Sequence, residues 1–137
     1  MIGIVVLSHA QMAKGMQSAT DLIIGHQSQY EARGYQEGQD YDEFVRQVAE
    51  AISTVNAGDG VLVLCDLFGA SPYNSVAKNM SQLRGDGVNV RVVTGVSLPM
   101  LIEALTMREG MSLEELYKDV IQVAKEGMVE MLESLGL

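Results

Sequence analysis

Met1-Ile-Gly-Ile-Val-Val-Leu-Ser-His9 decides how this chain is read. Ile2 to Leu7 is a continuous apolar run rich in β-branched residues, and the polar pair Ser8-His9 follows directly. A helical pattern comes next, over about Ala10 to Ile24, with Met12, Met16, Ala19 and Ile23 on one stripe and Gly25 as its terminator. A strand that is apolar on both faces and feeds a helix opens an α/β unit whose sheet is covered on both sides. In such sheets, ligands and chemistry collect just past the carboxyl ends of the strands. His9 stands there.

The same rhythm returns along the chain. The polar stretch from His26 to Asp40 holds only a weak strand pattern, over Gln29 to Tyr35. Tyr41 to Ser53 is amphipathic, with Phe44, Val45, Val48 and Ile52 on one side, and Asn56-Ala-Gly-Asp-Gly60 is a turn cluster. Val61-Leu-Val-Leu-Cys-Asp66 is the second clear strand and ends in an acid; a helix over about Pro72 to Leu83 follows. Val88 to Thr94 is the third clear strand. Gly95-Val-Ser97 starts a helix with Leu101, Ile102 and Leu105 facing inward. Ser112-Leu-Glu-Glu115 is a capping box. It opens a last helix to about Ser134, with Leu116, Val120, Val123, Met131 and Leu135 at helical spacing. Alternating strands and helices predict an α/β fold: a flavodoxin-like, three-layer doubly wound sandwich around a mainly parallel sheet of order 2-1-3-4. No repeat or linker divides residues 1–137, which read as a single domain.

Composition narrows the function classes. The chain has 137 residues, 47% of them hydrophobic, and a net charge of −9 with only nine Lys and Arg. Nucleic acid is not an expected partner, because a phosphate backbone calls for clustered cations. No apolar run approaches the roughly 20 residues that span a bilayer, and Ile2 to Leu7, with no basic region and no small-residue cleavage site, is not expected to be a signal peptide. The single cysteine, Cys65, lies inside an apolar strand and can form no internal disulfide, so a cytoplasmic location is expected. Cys65 reads as core, with no basic partner to activate it.

Parallel strands end at one edge, so His9, Asp66 and the Thr94 to Ser97 segment converge there. With order 2-1-3-4, strands 1 and 3 are neighbours where the strand order reverses, the usual ligand crevice. The chemistry this pair suits is nucleophilic attack by imidazole. A carboxylate that accepts the Nδ1 proton fixes the tautomer, frees Nε2 and stabilises the extra positive charge once Nε2 is phosphorylated. Ser71-Pro72 reads as an N-cap and first helical residue, hence a helix start whose free N–H groups favour phosphate. Gly69 lets the backbone come close to it. His26, beyond the first helix, reads as a cation at a helix C-terminus. Each feature taken alone is common; their convergence carries the functional reading.

Ile4-Val-Val-Leu-Ser-His-Ala10, Asp66-Leu-Phe-Gly-Ala-Ser-Pro-Tyr-Asn74 and Thr94-Gly-Val-Ser-Leu-Pro-Met100 together resemble the IIA domain of the mannose-type (mannose/fructose/sorbose) sugar phosphotransferase system. The likeness covers nearly the whole chain, and the middle segment resembles that family's aspartate–aromatic–glycine–serine–proline signature. The family often has Trp where Phe68 stands and Gly where Ala70 stands. The resemblance implies that His9 is phosphorylated, that Asp66 is its hydrogen-bonding partner, and that Ser71 with the neighbouring backbone forms the phosphoryl pocket. It further implies a relay with no cofactor or metal. The phosphoryl group comes from the carrier HPr, rests on His9 and passes to a IIB component, which serves a membrane IIC/IID permease. It also implies a homodimer with strand exchange near the C-terminus; Met128 to Leu137 is apolar enough for an interface, yet shows no final strand. Two alternatives stand beside it: the phosphotransferase subunit of dihydroxyacetone kinase, and a non-catalytic flavodoxin-like binding or regulatory module. The sequence names no sugar.

Overall fold

Strand β1 (Gly3–His9) is buried from Gly3 through Ser8 and emerges only at His9. In the computed structural model, which describes residues 1–137, it pairs in parallel with β2 (Tyr30–Tyr35) on one side and β3 (Val61–Cys65) on the other. β4 (Val90–Thr94) extends the sheet beyond β3, so the order is β2-β1-β3-β4, all parallel. This is the expected 2-1-3-4 order, and the weakly patterned second strand takes its expected edge position.

Six helices accompany the strands: α1 (Met12–Ile24), α2 (Tyr41–Val55), α3 (Ser71–Gly85), α4 (Leu98–Met107), α5 (Leu113–Glu126) and the short α6 (Met131–Ser134). Side-chain alternation along the strands divides the core in two. Ile4, Val6, Leu62 and Leu64 face Ala13 of α1, Leu101 and Ala104 of α4, and Leu116 and Val120 of α5. Val5, Leu7, Val63 and Cys65 face Phe44, Val48 and Ile52 of α2 and Val76 of α3. The helices therefore cover both faces; β1 and β3 are buried along their length, while the edge strands β2 and β4 keep part-exposed residues such as Arg33 and Arg91.

Several elements differ from the sequence reading. α1 starts at Met12 rather than Ala10, because Ala10 takes a left-handed φ of 48°. The buried Ser8 Oγ accepts the Ala13 N–H at 2.7 Å and sets the phase of the helix. Its inward face is therefore Ala13 and Thr20, with Met16 and Ile24 packed alongside, while Met12 and Ile23 of the expected stripe are exposed. Thr20 is tolerated inside because its hydroxyl meets Gln17 O and Tyr30 Oη. The last helix also stops early. α5 ends at Glu126, Gly127 packs against Pro99, and the Glu130 carboxylate caps a separate α6. Met131 and Leu135, expected at helical spacing in one continuous last helix, are exposed beyond its end. β4 begins at Val90, two residues later than expected, after Val88 N–H has bonded back to Leu83 O at the end of α3.

Candidate functional site

The crevice between β1 and β3 holds the two residues the sequence singled out. Asp66 directly follows β3, and its N–H donates to Leu7 O at 3.1 Å, which turns its side chain toward the end of β1. Asp66 Oδ2 accepts two hydrogen bonds from one residue: the His9 backbone N–H at 2.8 Å and the ring Nδ1 at 2.6 Å. Its other oxygen accepts the Leu67 N–H at 2.8 Å. Burial pushes the Asp66 carboxyl up, but the backbone and ring donors of His9 and the Leu67 N–H outweigh it and hold it below its usual range. A carboxylate bonded in this way is an acceptor only, so it fixes the Nδ1–H tautomer. Nε2 has no partner within the chain. The imidazole is 49% exposed whereas Asp66 is 9% exposed, a buried anchor under an accessible ring.

His9 opens onto a cavity of about 430 Å³ that it shares with Ser71 and the loop from Tyr35 to Gly38. Ser71 is the first residue of α3 and not its N-cap; Ala70 occupies the cap position, and no side chain bonds the helix's first N–H groups. The helix start has a local cause. Ala70 is extended (φ −86°, ψ 176°), which places Ser71 and Pro72 already inside the first turn. α2, α4 and α5, by contrast, are capped by Asp40, Ser97 and Ser112. The uncapped start of α3 leaves amide donors and the positive dipole end beside the ring. Gly69 lies one residue before the cap with φ +74°, and its carbonyl accepts from Asn74 Nδ2 at 2.9 Å. It shapes the turn and does not line the cavity.

The chain's second histidine stands apart. His26 is well exposed, 4.0 Å from Asp21 at the end of α1. Cys65 is fully buried, and burial first, with the neighbouring Asp66 charge, pushes its thiol up to about 12. It is inert at neutral pH. Hollows of similar size at the opposite sheet edge surround Arg108, whose guanidinium is spent on the Ser28, Gln29 and Ile2 carbonyls.

The sequence reading missed the residues around the turn after His9. Ala10 sits where the left-handed region costs an alanine roughly 1–2 kcal/mol. Its N–H donates to Tyr35 O at 2.9 Å, and its carbonyl accepts from Gln36 Nε2 at 3.2 Å. Any side chain at Gly34 would collide with that carbonyl, so glycine is required there. A glycine two residues before a glutamine at a strand end is the only signal in the chain, and by itself it is weak.

Comparison with known proteins gives the arrangement its context. The family model EIIA-man, described as the PTS system fructose IIA component, matches residues 3–121. The PTS system fructose-specific EIIA component of Bacillus subtilis is 23% identical over 126 residues, 92% of this chain and 84% of that protein. The PTS system mannose-specific EIIAB component of Escherichia coli is 26% identical over 128 residues, 93% of this chain but only 38% of that longer protein. The solved structure of phosphotransferase system component EIIA from Streptococcus agalactiae matches with a TM-score of 0.85 at 26% identity, over 96% of this chain and 98% of that one.

Proposed function

The chain belongs to the EIIA-man family of phosphotransferase system IIA components, and from that membership we propose that His9 is its phosphoryl carrier. The lone pair of Nε2 attacks the phosphorus of a phosphohistidine on the carrier protein HPr. A new N–P bond forms as the donor's N–P bond breaks, and the donor imidazole leaves. The ring of His9 then carries additional positive charge, which the adjoining Asp66 carboxylate stabilises. The reverse polarity applies in the second step: a nucleophile of a IIB component attacks the same phosphorus, and His9 leaves as neutral imidazole. The chain is thus a phosphotransferase with a phosphohistidine intermediate, and it acts in sugar uptake.

One observation carries this reading. Nδ1 is engaged by the nearly buried Asp66 carboxylate at 2.6 Å, while Nε2 is left without a hydrogen bond on a half-exposed ring that lines an open cavity. Ser71 and the uncapped amides of α3, with the Gly69 turn before them, are the proposed cradle for the phosphoryl oxygens. Leu67 and Phe68 beside Asp66, and Met12 after the ring, are large apolar side chains left exposed around the nucleophile, which suits docking of a protein rather than a small metabolite. Service to a IIC/IID permease follows from the same relay. A homodimer is supported by the C-terminal segment, where Met128, Val129, Met131, Leu132, Leu135 and Leu137 are all exposed. No helix is long and apolar enough to cross a membrane.

The test uses phosphoenolpyruvate, enzyme I and HPr, with intact mass read before and after mild acid. We expect one acid-labile phosphoryl group in the native chain and none in His9→Ala. Labelling that survives in His9→Ala, or no labelling at all, contradicts the proposal.

A further inference from the structure

His9 is held from two sides, and only one of them is Asp66. On the other side, the end of β2 grips the residue that follows the nucleophile. Ala10 has a φ of 48°, a conformation an alanine keeps only when its surroundings enforce it. Three contacts enforce it. The Ala10 N–H bonds Tyr35 O, the Ala10 carbonyl bonds Gln36 Nε2, and that carbonyl lies against the bare Cα of Gly34. The Gln36 amide is itself fixed: Nε2 also donates to Gly34 O at 3.2 Å, and Oε1 accepts from Gln11 Nε2 at 3.3 Å. The backbone N–H of Gln36 donates to Gln39 Oε1 at 3.0 Å, which anchors the loop that carries it.

Resting on the carrier reading above, we propose that Gln36 is a positioning residue for the reaction, an amide clamp that keeps Ala10 left-handed and so aims the His9 ring. The His9–Ala10 peptide is pinned at both ends, by Ser8 Oγ–H on its carbonyl at 3.0 Å and by Tyr35 O on its N–H. If Ala10 relaxes to the right-handed region, its carbonyl swings off Gln36 and its N–H off Tyr35. The peptide then turns, and the ring rotates away from Asp66 Oδ2. Gln36 acts through Ala10 and needs no contact with the phosphoryl group.

The decisive variant is Gln36→Met, which keeps length and removes both amide functions. Two readouts are taken: phosphoryl transfer from phospho-HPr, and the long-range ¹H–¹⁵N spectrum of the unphosphorylated His9 ring, which reports the tautomer. The clamp predicts a maximal rate lowered roughly ten- to a hundredfold, as for a misplaced reacting group. It also predicts a KM for phospho-HPr within about twofold of wild type, and a spectrum shifted from Nδ1–H toward a mixture of tautomers. Adding Ala10→Gly, which takes positive φ without help, should restore both rate and spectrum. A Gln36→Met protein with a wild-type tautomer spectrum overturns the inference, as does a double variant that regains neither. The spectrum is read without any phosphorylation. If the native chain accepts no phosphoryl group, the carrier reading fails, while the ring spectrum still judges the clamp.

Discussion

Two loops flank the same imidazole and hold it by different physics. The β3–α3 side uses a charge: one carboxylate, nearly buried, accepts from both the ring and the backbone of His9. The β2–α2 side uses neutral amides and a missing side chain, Gln36 and Gly34, to lock the turn at Ala10. The carboxylate can respond electrostatically when the ring gains charge, whereas the amides can only fix position. Removing the first should alter the chemistry itself; disturbing the second should alter how often the chemistry finds its geometry.

The largest effect that separates the two sides is expected from Asp66→Ala. The maximal transfer rate should fall by about 10² to 10⁴, the scale seen when the carboxylate behind a catalytic histidine is lost. The KM for the donor should move much less, because the Asp66 side chain is only 9% exposed and offers a partner little surface. A loss confined to KM would place Asp66 in binding and dissolve the contrast between the loops. Next in size is Phe68→Ala on the exposed rim of the β3–α3 loop, where the ring is 78% exposed and rests against Tyr73 at 5.1 Å. It should raise the KM for a protein partner roughly tenfold, the cost of losing an aromatic anchor, with kcat and melting temperature nearly unchanged.

The smallest effect concerns Cys65, one residue before Asp66. Its folded thiol keeps its proton up to about 12, whereas an unfolded thiol loses it near pH 8.5. The native state then binds more protons than the unfolded one, so the stability this residue contributes is intact below about pH 8.5 and is lost as pH rises toward 12. Melting temperatures of the native chain and Cys65→Ala, compared from pH 7 to 10, should converge as pH rises. Native alkylation by iodoacetamide at pH 8.5 should be slow against the denatured chain. Rapid native labelling would mean that the β3 end opens more readily than the site geometry allows.

The fold was legible because β1, β3 and β4 are short runs whose neighbours announce strand ends, and the parallel arrangement follows from the intervening helices. Asp66 and His9 were legible for the same reason: each is the first polar group with freedom to act past a buried strand. The start of α3 was legible but off by one position, since Ser71 and Pro72 mark a helix start without saying which of them carries helical dihedrals. The face of α1 was misread because its inward side contains Thr20 and small Ala13, while the larger Met12 and Ile23 look outward. Residue size misled there. The tail was misread for a different reason. Helical spacing at Met131 and Leu135 persists across Gly127, but α5 stops at Glu126 and both side chains are exposed. The Gly34–Gln36 clamp was out of reach, because it depends on a tertiary approach of two strand ends and on a backbone angle at Ala10 that no local pattern encodes.

The most direct test of the account is which ring nitrogen carries the phosphoryl group. With Asp66 on Nδ1, ¹⁵N spectra of the His9-phosphorylated chain should show phosphorus coupling at Nε2 and a protonated Nδ1. Phosphorus coupling at Nδ1 would contradict it, because the carboxylate and the phosphoryl group would then claim the same atom.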